Sequence, residues 1–167
     1  SAAIGRPAPS MVFPNHNDHG FVKVALDDVS LGWVRGNLDR IDDPLLRQLI
    51  WQTLWNMVRD QQLKSTDYLE LVGAKVATEQ DKELIETILS TATASIARYV
   101  PEEQRTASAH RFFEQAWTAL QAAPQGDLQI IWARALLGSA ITPEDILHPG
   151  RGHQSEVQVD AAAAAQV

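Results

Sequence analysis

Apolar residues recur along most of the chain in three- and four-residue steps, the spacing that lays side chains along one face of an α-helix. The exception lies early. In residues 20–26, Gly-Phe-Val-Lys-Val-Ala-Leu, the pattern alternates, with Phe21, Lys23 and Ala25 on one face and Val22, Val24 and Leu26 on the other. Period two predicts a strand buried on the second face. A lone strand needs a partner. Either residues 11–13 form a short hairpin with it, or its sheet lies outside the chain.

After residue 27 the pattern is helical. Asp27 or Asp28 opens a helix with Leu31, Val34 and Leu38 inward. Asp43-Pro44 is a cap followed by proline at the first helical position. Behind it Leu46, Leu49, Ile50, Leu54, Met57 and Val58 form the clearest stripe, widened by Trp51 and Trp55, and the helix ends near Gln61. Ser65 or Thr66 is expected to cap a third helix, with Tyr68, Leu69, Val72 and Val76 inward. Gly73 within it costs about 1 kcal/mol against alanine, which predicts close approach of a neighbouring helix. The segment from Thr78 to Asp81 starts a fourth helix carrying Leu84, Ile85, Ile88, Leu89, Ile96 and Tyr99. Pro101-Glu102-Glu103 opens a fifth, with Phe113, Ala116, Trp117 and Leu120 as its seam. Pro124-Gln125-Gly126 breaks it, and Asp127 caps a sixth with Leu128, Ile131, Trp132, Ala135 and Leu136 inward. Thr142-Pro143-Glu144-Asp145 signals a seventh start, which meets His148-Pro149-Gly150 almost at once. The expected fold is mainly α: antiparallel helical hairpins stacked as an irregular, HEAT-like α-solenoid, with a short N-terminal β-strand segment. The corresponding division is 1–27 as the end of a β-sandwich or linker, 28–147 as a partial helical-repeat domain and 148–167 as a tail.

Composition narrows the function. Fourteen Lys and Arg against 21 Asp and Glu give a net charge of −7 among 167 residues, a poor match for nucleic acid or an anionic membrane, both of which need clustered positive charge. Cysteine is absent, which excludes disulfides, thiolate metal sites and a cysteine nucleophile. Residues 1–13 have no continuous apolar stretch and do not read as a signal peptide, so a cytoplasmic location is expected. Residues 128–141, the most apolar run, contain Arg134 and are too short to span a bilayer. Ser1 in place of Met, the unpartnered strand and the aborted seventh helix together read as a piece of something longer.

Catalytic patterns are missing. His-Glu-x-x-His, a glycine-rich phosphate loop and Gly-x-Ser-x-Gly do not occur, and His110 reads as a residue on or beside a packed helix face. His16 and His19 flank Asn17-Asp18 and can chelate a metal in a loop; the same letters also make a tight turn into the strand, with the histidines incidental. Four of the five tryptophans, Trp51, Trp55, Trp117 and Trp132, fall in or beside apolar stripes and read as core. Arg47, Arg59 and Lys64, on or near the second long helix, are the candidates for contacting a carboxylate or peptide.

Three segments carry a resemblance. Residues 15–27 (NHNDHGFVKVALD), residues 43–72, with Trp55, Met57, Arg59 and Asp60 in a W-x-M-x-R-D arrangement, and residues 127–135 (DLQIIWARA) resemble, in order, the start of the C-terminal helical domain of the aminopeptidase N family of zinc metallopeptidases. The resemblance implies a parent enzyme that removes N-terminal residues from peptides. Its zinc site and substrate-amine site would lie upstream, so no catalytic or zinc residue carries over and no cofactor is expected in this chain. It further implies a domain that covers the active site, restricts or contacts peptide substrates and pairs with the parent's catalytic domain. The alternative is a free-standing helical-repeat module that binds a protein or peptide, with self-association through its open end. A small enzyme centred on His16 and His19 is the remaining reading.

Overall fold

The computed structural model describes residues 7–139. The expected seventh helix and the tail at 148–167 lie outside them. Six α-helices occupy the described residues: α1 (Asp28–Asn37), α2 (Pro44–Arg59), α3 (Ser65–Lys75), α4 (Lys82–Arg98), α5 (Glu102–Ala122) and α6 (Asp127–Ser139). Short 3-10 turns lie at His16–Asp18, Leu38–Arg40 and Val76–Thr78.

Aspartates start three of the helices. Asp27 accepts from the Ser30 N–H at 2.7 Å, Asp43 from Leu45 and Leu46, and Asp81 from Glu83 and Leu84. Each carboxylate satisfies N–H groups that the first helical turn leaves without a partner. The cap expected at Ser65 or Thr66 is not there. Lys64 holds the N-cap position without a side-chain cap bond, because Ser65 lies inside α3 and its hydroxyl donates instead to the Tyr99 carbonyl, 3.0 Å away. Asp127 is the first residue of α6, and its carboxylate meets Lys82 at 2.9 Å. Gly126 has a φ of 124°, a conformation that L side chains rarely adopt, so the α5–α6 turn depends on glycine.

The apolar stripes converge on one core. Val34, Leu38, Ile50, Leu54, Tyr68, Val72 and Ile88 are almost wholly buried. Helix α2 packs on α3 and α4, α3 on α4 and α5, α4 on α5 and α6, and α5 on α6. Each helix from α2 to α4 therefore touches the next and the next but one. At Gly73 a β-carbon would lie 2.7 Å from Gln115 Oε1 of α5, which is the close approach that the mid-helix glycine predicts. Tyr99, expected inward, is 36% exposed, since α4 ends at Arg98 and the chain turns away before it.

No strand occurs among the described residues. Residues 21–27 carry no ladder, and the hairpin with residues 11–13 does not form. Instead the Val12 N–H bonds the Ser30 hydroxyl of α1 at 3.1 Å, while Met11 and Phe13 rest against the helical core. The expected inner face is only partly buried: Leu26 is 7% exposed, but Val22 is 61% exposed. With no second extended segment beside it, the alternation has nothing to pair with.

Candidate functional site

The three candidate basic residues lie at opposite ends of α2. Arg47 is in its first turns and Arg59 is its last residue, a separation of about 18 Å at 1.5 Å per residue. They do not form one site.

Arg47 is built into a network. Its Nε and Nη2 donate to the two oxygens of Glu79 at 2.9 Å each, and Nη1 donates to the carbonyls of Ile41 and Asp42 at 2.7 and 3.2 Å. The Glu79 side chain is 5% exposed and that of Arg47 is 16% exposed. Glu79 Oε1 also accepts from the N–H groups of Gln80 and Asp81. Burial pushes the Glu79 carboxyl up, but the Arg47 hydrogen bond and these two N–H groups outweigh it, and the net shift is downward. The hydrogen bond to Glu79 raises Arg47 further. Beside them Lys75 meets Asp39 at 2.6 Å and holds the Asp39 carboxyl below its ordinary value. These pairs line a cleft of about 270 Å³ with Trp51 in its wall. Sequence reasoning singled out Arg47 but not Glu79, its partner 32 residues away.

At the other end of α2, Arg59 is exposed and lines none of the clefts described here. Lys64, at the start of α3, borders an open groove of about 650 Å³ shared with Arg98, Tyr99 and Gln104. Sequence reasoning did not single out Arg98, because the groove joins the start of α3 to the end of α4, segments far apart in the chain.

His16 and His19 lie in the turn before residue 20, and both are exposed. Asn15 organises that turn. Its amide donates to Asp18 Oδ1 and the Gly20 carbonyl, and its own carbonyl accepts from the Gly20 N–H, each at 3.1 Å. Asn17 and Asp18 take positive φ values of 65° and 53°, which Asn and Asp tolerate better than most residues. His16 Nε2 sits 3.6 Å from Asp43. Among the described residues no group of three or more His, Cys, Asp or Glu side chains is placed to hold a metal ion.

Aromatic rings join α2 to α3 and to the end of α4. Trp51 meets Tyr68 edge-on at 6.2 Å, and Trp55 contacts Tyr68 at 6.0 Å and Tyr99 at 5.5 Å. The Tyr68 hydroxyl lies 2.7 Å from Thr91 Oγ1. Thr91 donates its only hydroxyl proton to the carbonyls of Thr87 and Ile88, so Tyr68 is the donor. Burial raises the Tyr68 phenol strongly and the Thr91 bond offsets part of the rise. Trp51 and Trp55 also wall a cleft of about 350 Å³ between α2 and α4, with Asp81, Glu83 and Thr87 on its other side. Among the described residues no helix is long and apolar enough to cross a membrane.

Comparison with known proteins adds two findings. The family model described as ERAP1-like C-terminal domain matches residues 11–146. Aminopeptidase N of Streptomyces lividans is 33% identical over 144 residues, 86% of this chain. The chain spans 17% of that relative's length.

Proposed function

This chain belongs to the ERAP1-like C-terminal domain family and is C-terminal-domain sequence of an aminopeptidase N-like protein; from that premise we propose that it is a non-catalytic cover over the active site of a zinc exopeptidase. In this reading it restricts the entry of peptide substrates and contacts them, its partner is the catalytic domain of the same protein, zinc is held there and not here, and the protein works in the cytoplasm. Residues 1–27 would complete a neighbouring β-sandwich. Residues 28–147 would be a partial helical stack, a reading supported by α2 to α4, which each pack on the next helix and the next but one, as in a solenoid, and 148–167 a tail.

One observation carries the reading. Phe21 is fully exposed and Val22 61% exposed beside a well-packed helical body. The backbone N–H groups of Phe21, Lys23, Val24 and Ala25 make no hydrogen bond among the described residues. An aromatic residue and a row of unpaired backbone groups have the chemistry of a strand awaiting a sheet edge.

Arg59 and Lys64 remain the peptide-contact candidates with free donors; Arg47 would act there only by giving up part of its bond to Glu79. The test is a segment exchange. Aminopeptidase N of Streptomyces lividans with its matching segment replaced by residues 11–146 of this chain should hydrolyse an alanine anilide and keep the parent's ratio of short- to long-peptide turnover, while deletion of the segment changes that ratio. An exchange protein that behaves like the deletion overturns the proposal. So does zinc-dependent anilide hydrolysis by this chain alone.

A second reading, the free-standing module, draws on α6. Ile130 and Leu137 are 51% and 63% exposed there, an apolar surface suited to self-association. A concentration-dependent mass in light scattering, lost in Ile130→Ser with Leu137→Ser, would favour it.

A further inference from the structure

The cleft of about 350 Å³ between α2 and α4 is lined by no cation, and its charged residues are Asp81 and Glu83 at the start of α4. The cations closest to them in the chain and in the network described above are engaged elsewhere: Lys82 with Asp127 and Arg47 with Glu79. The Glu83 carboxylate makes no ion pair among the described residues. Asp81 spends Oδ1 on the N–H groups of Glu83 and Leu84 and leaves its other oxygen open.

The polar groups on the α4 wall accept and do not donate. Thr87 commits its hydroxyl proton to the Glu83 carbonyl at 2.9 Å. Thr91 donates within α4 and already accepts from Tyr68. Oxygens with no proton to give select a ligand that donates, and two carboxylates without a counter-ion select a positive one. The base of the cleft is apolar: Trp51, Leu84 and Ile88 are buried there, with Trp55 half-buried beside them. Tryptophan rings attract both hydrocarbon and cations. The two chemistries are sorted along the cleft. Glu83 stands at the start of α4, whereas Trp55 lies toward Thr91, since it contacts Tyr68, whose hydroxyl bonds Thr91. Eight residues of helix separate Glu83 from Thr91, about 12 Å. That order fits a charged head followed by a hydrocarbon stem. A bare metal ion would leave the aromatic base unused, and among the described residues no third acidic or imidazole group joins the two carboxylates.

We propose that the α2–α4 cleft binds an ammonium group on an apolar stem, supplied either by a free aliphatic amine or by a lysine side chain of a polypeptide. The ammonium sits against Glu83 and the open oxygen of Asp81, and the stem lies along Trp51, Ile88 and Trp55. The exposed amides of Gln48 and Gln52 line the cleft from α2 and can accept from the same head group. The site goes beyond the covering role and does not depend on it.

The test is an amide NMR titration of the full 167-residue chain at neutral pH. The probes are hexylammonium chloride, hexanol, calcium chloride, acetyl-Ala-Ala-Lys-Ala-Ala-amide and the same peptide with norleucine in place of lysine. Saturable shifts at residues 48–55 and 81–91, including the indole N–H signals of Trp51 and Trp55, are expected with hexylammonium, the lysine peptide or both. Hexanol, calcium and the norleucine peptide should not produce them. The responding probe identifies the source of the ammonium. Glu83→Gln should weaken binding at least about threefold, the scale of one charge at a partly exposed site. Gln52→Lys, which brings a like charge to the cleft, should abolish it, with unchanged circular dichroism. Glu103→Gln on α5 should leave binding unaltered. The same shifts with hexanol, calcium or the norleucine peptide, no saturable shift with either ammonium probe, or full binding by either cleft variant would each overturn the assignment.

Discussion

Arg47 and Glu79 meet in a two-pronged pair, with both nitrogen–oxygen distances at 2.9 Å, and the pair fastens the start of α2 to the α3–α4 connection. The same guanidinium ties down the carbonyls of Ile41 and Asp42, and the same carboxylate holds the N–H groups of Gln80 and Asp81. Because both side chains are largely shielded, removing one leaves the other charge without its partner. Arg47→Ala is expected to cost about 2–4 kcal/mol. Arg47→Lys should recover only part of that, since an ammonium cannot match two carboxylate oxygens at once. Urea unfolding monitored by circular dichroism checks both. A change in Arg47→Ala within about 0.5 kcal/mol, the usual size for a surface site, would mean that the pair is not structural.

The acid limb of the stability curve should report the same pair. The Glu79 carboxyl is held below its ordinary 4.5, and Asp27 and Asp39 are held below 3.8 by the Ser30 N–H and by Lys75 respectively. A lowered folded-state value means that the unfolded chain takes up the proton first. The stabilisation is therefore complete above the ordinary carboxyl range and is lost as pH falls through it. Stability should be level near neutrality and decline below about pH 4.5. Glu79→Gln should lower the plateau and flatten the decline. Melting temperatures between pH 3 and 7 measure it, and a parallel decline in the variant would contradict the assignment.

The helix starts show how far local chemistry can be read from letters. Asp43 before Pro44, and Asp81 before the Leu84–Ile85 stripe, cap the helices that their spacing predicts, because a cap requires only a side chain and an N–H two or three residues on. Ser65 defeats the same logic. Its hydroxyl is taken by the carbonyl of Tyr99, 34 residues away, and no local pattern encodes that competition. The basic candidates divide likewise. Periodicity puts Arg47, Arg59 and Lys64 on or near one helix, but which of them is engaged is decided by Glu79, and Lys64 shares its groove with Arg98 from the end of α4. The period-two run at residues 20–26 correctly marks Leu26 as buried but wrongly puts Val22 beside it, 61% exposed in the structure, since the pattern cannot supply a sheet that the described residues lack. The resemblance stood on the W-x-M-x-R-D arrangement and the DLQIIWARA segment, features of packing rather than of catalysis, which is why it identified a domain and no active-site residue.

Capping and competition make separable predictions. Asp43→Ala and Asp81→Ala should each cost about 1 kcal/mol by loss of an N-cap. Ser65→Ala should also destabilise, by about 1 kcal/mol for one lost hydrogen bond. Its signature is different, because the bond joins α3 to the end of α4. Amide exchange should accelerate around residues 98–100 in Ser65→Ala and around residues 44–47 in Asp43→Ala. Acceleration confined to the first turn of α3 in Ser65→Ala would restore the cap reading.

Tyr68 should stay protonated well into the alkaline range. Its phenol is buried and donates to Thr91, and burial raises it above the ordinary 10. In the unfolded chain the proton leaves near pH 10, whereas the folded chain keeps it. The unfolded state then binds fewer protons, and stability falls as pH rises past 10. Absorbance at alkaline pH should show the Tyr68 phenol ionising only together with the loss of helical circular dichroism. Tyr68→Phe should shallow the alkaline decline and cost about 1 kcal/mol at neutral pH.

Phe21 and Leu26 give the sharpest contrast on the extended segment. Leu26 is 7% exposed and its N–H lies 3.4 Å from the Met57 sulfur of α2, so Leu26→Ala removes packed methyl groups and should cost about 2–4 kcal/mol. Phe21 touches solvent all round, and Phe21→Ser in this chain should change stability by less than about 0.5 kcal/mol. Placed in the segment-exchanged aminopeptidase, the same Phe21→Ser should destabilise the whole enzyme by about 2 kcal/mol or more, because there the ring would be buried against a neighbouring sheet. Thermal unfolding of the two proteins, each with and without the substitution, measures the difference. Equal and negligible effects in both contexts would mean that Phe21 has no neighbour, and would take away the observation on which the covering role rests.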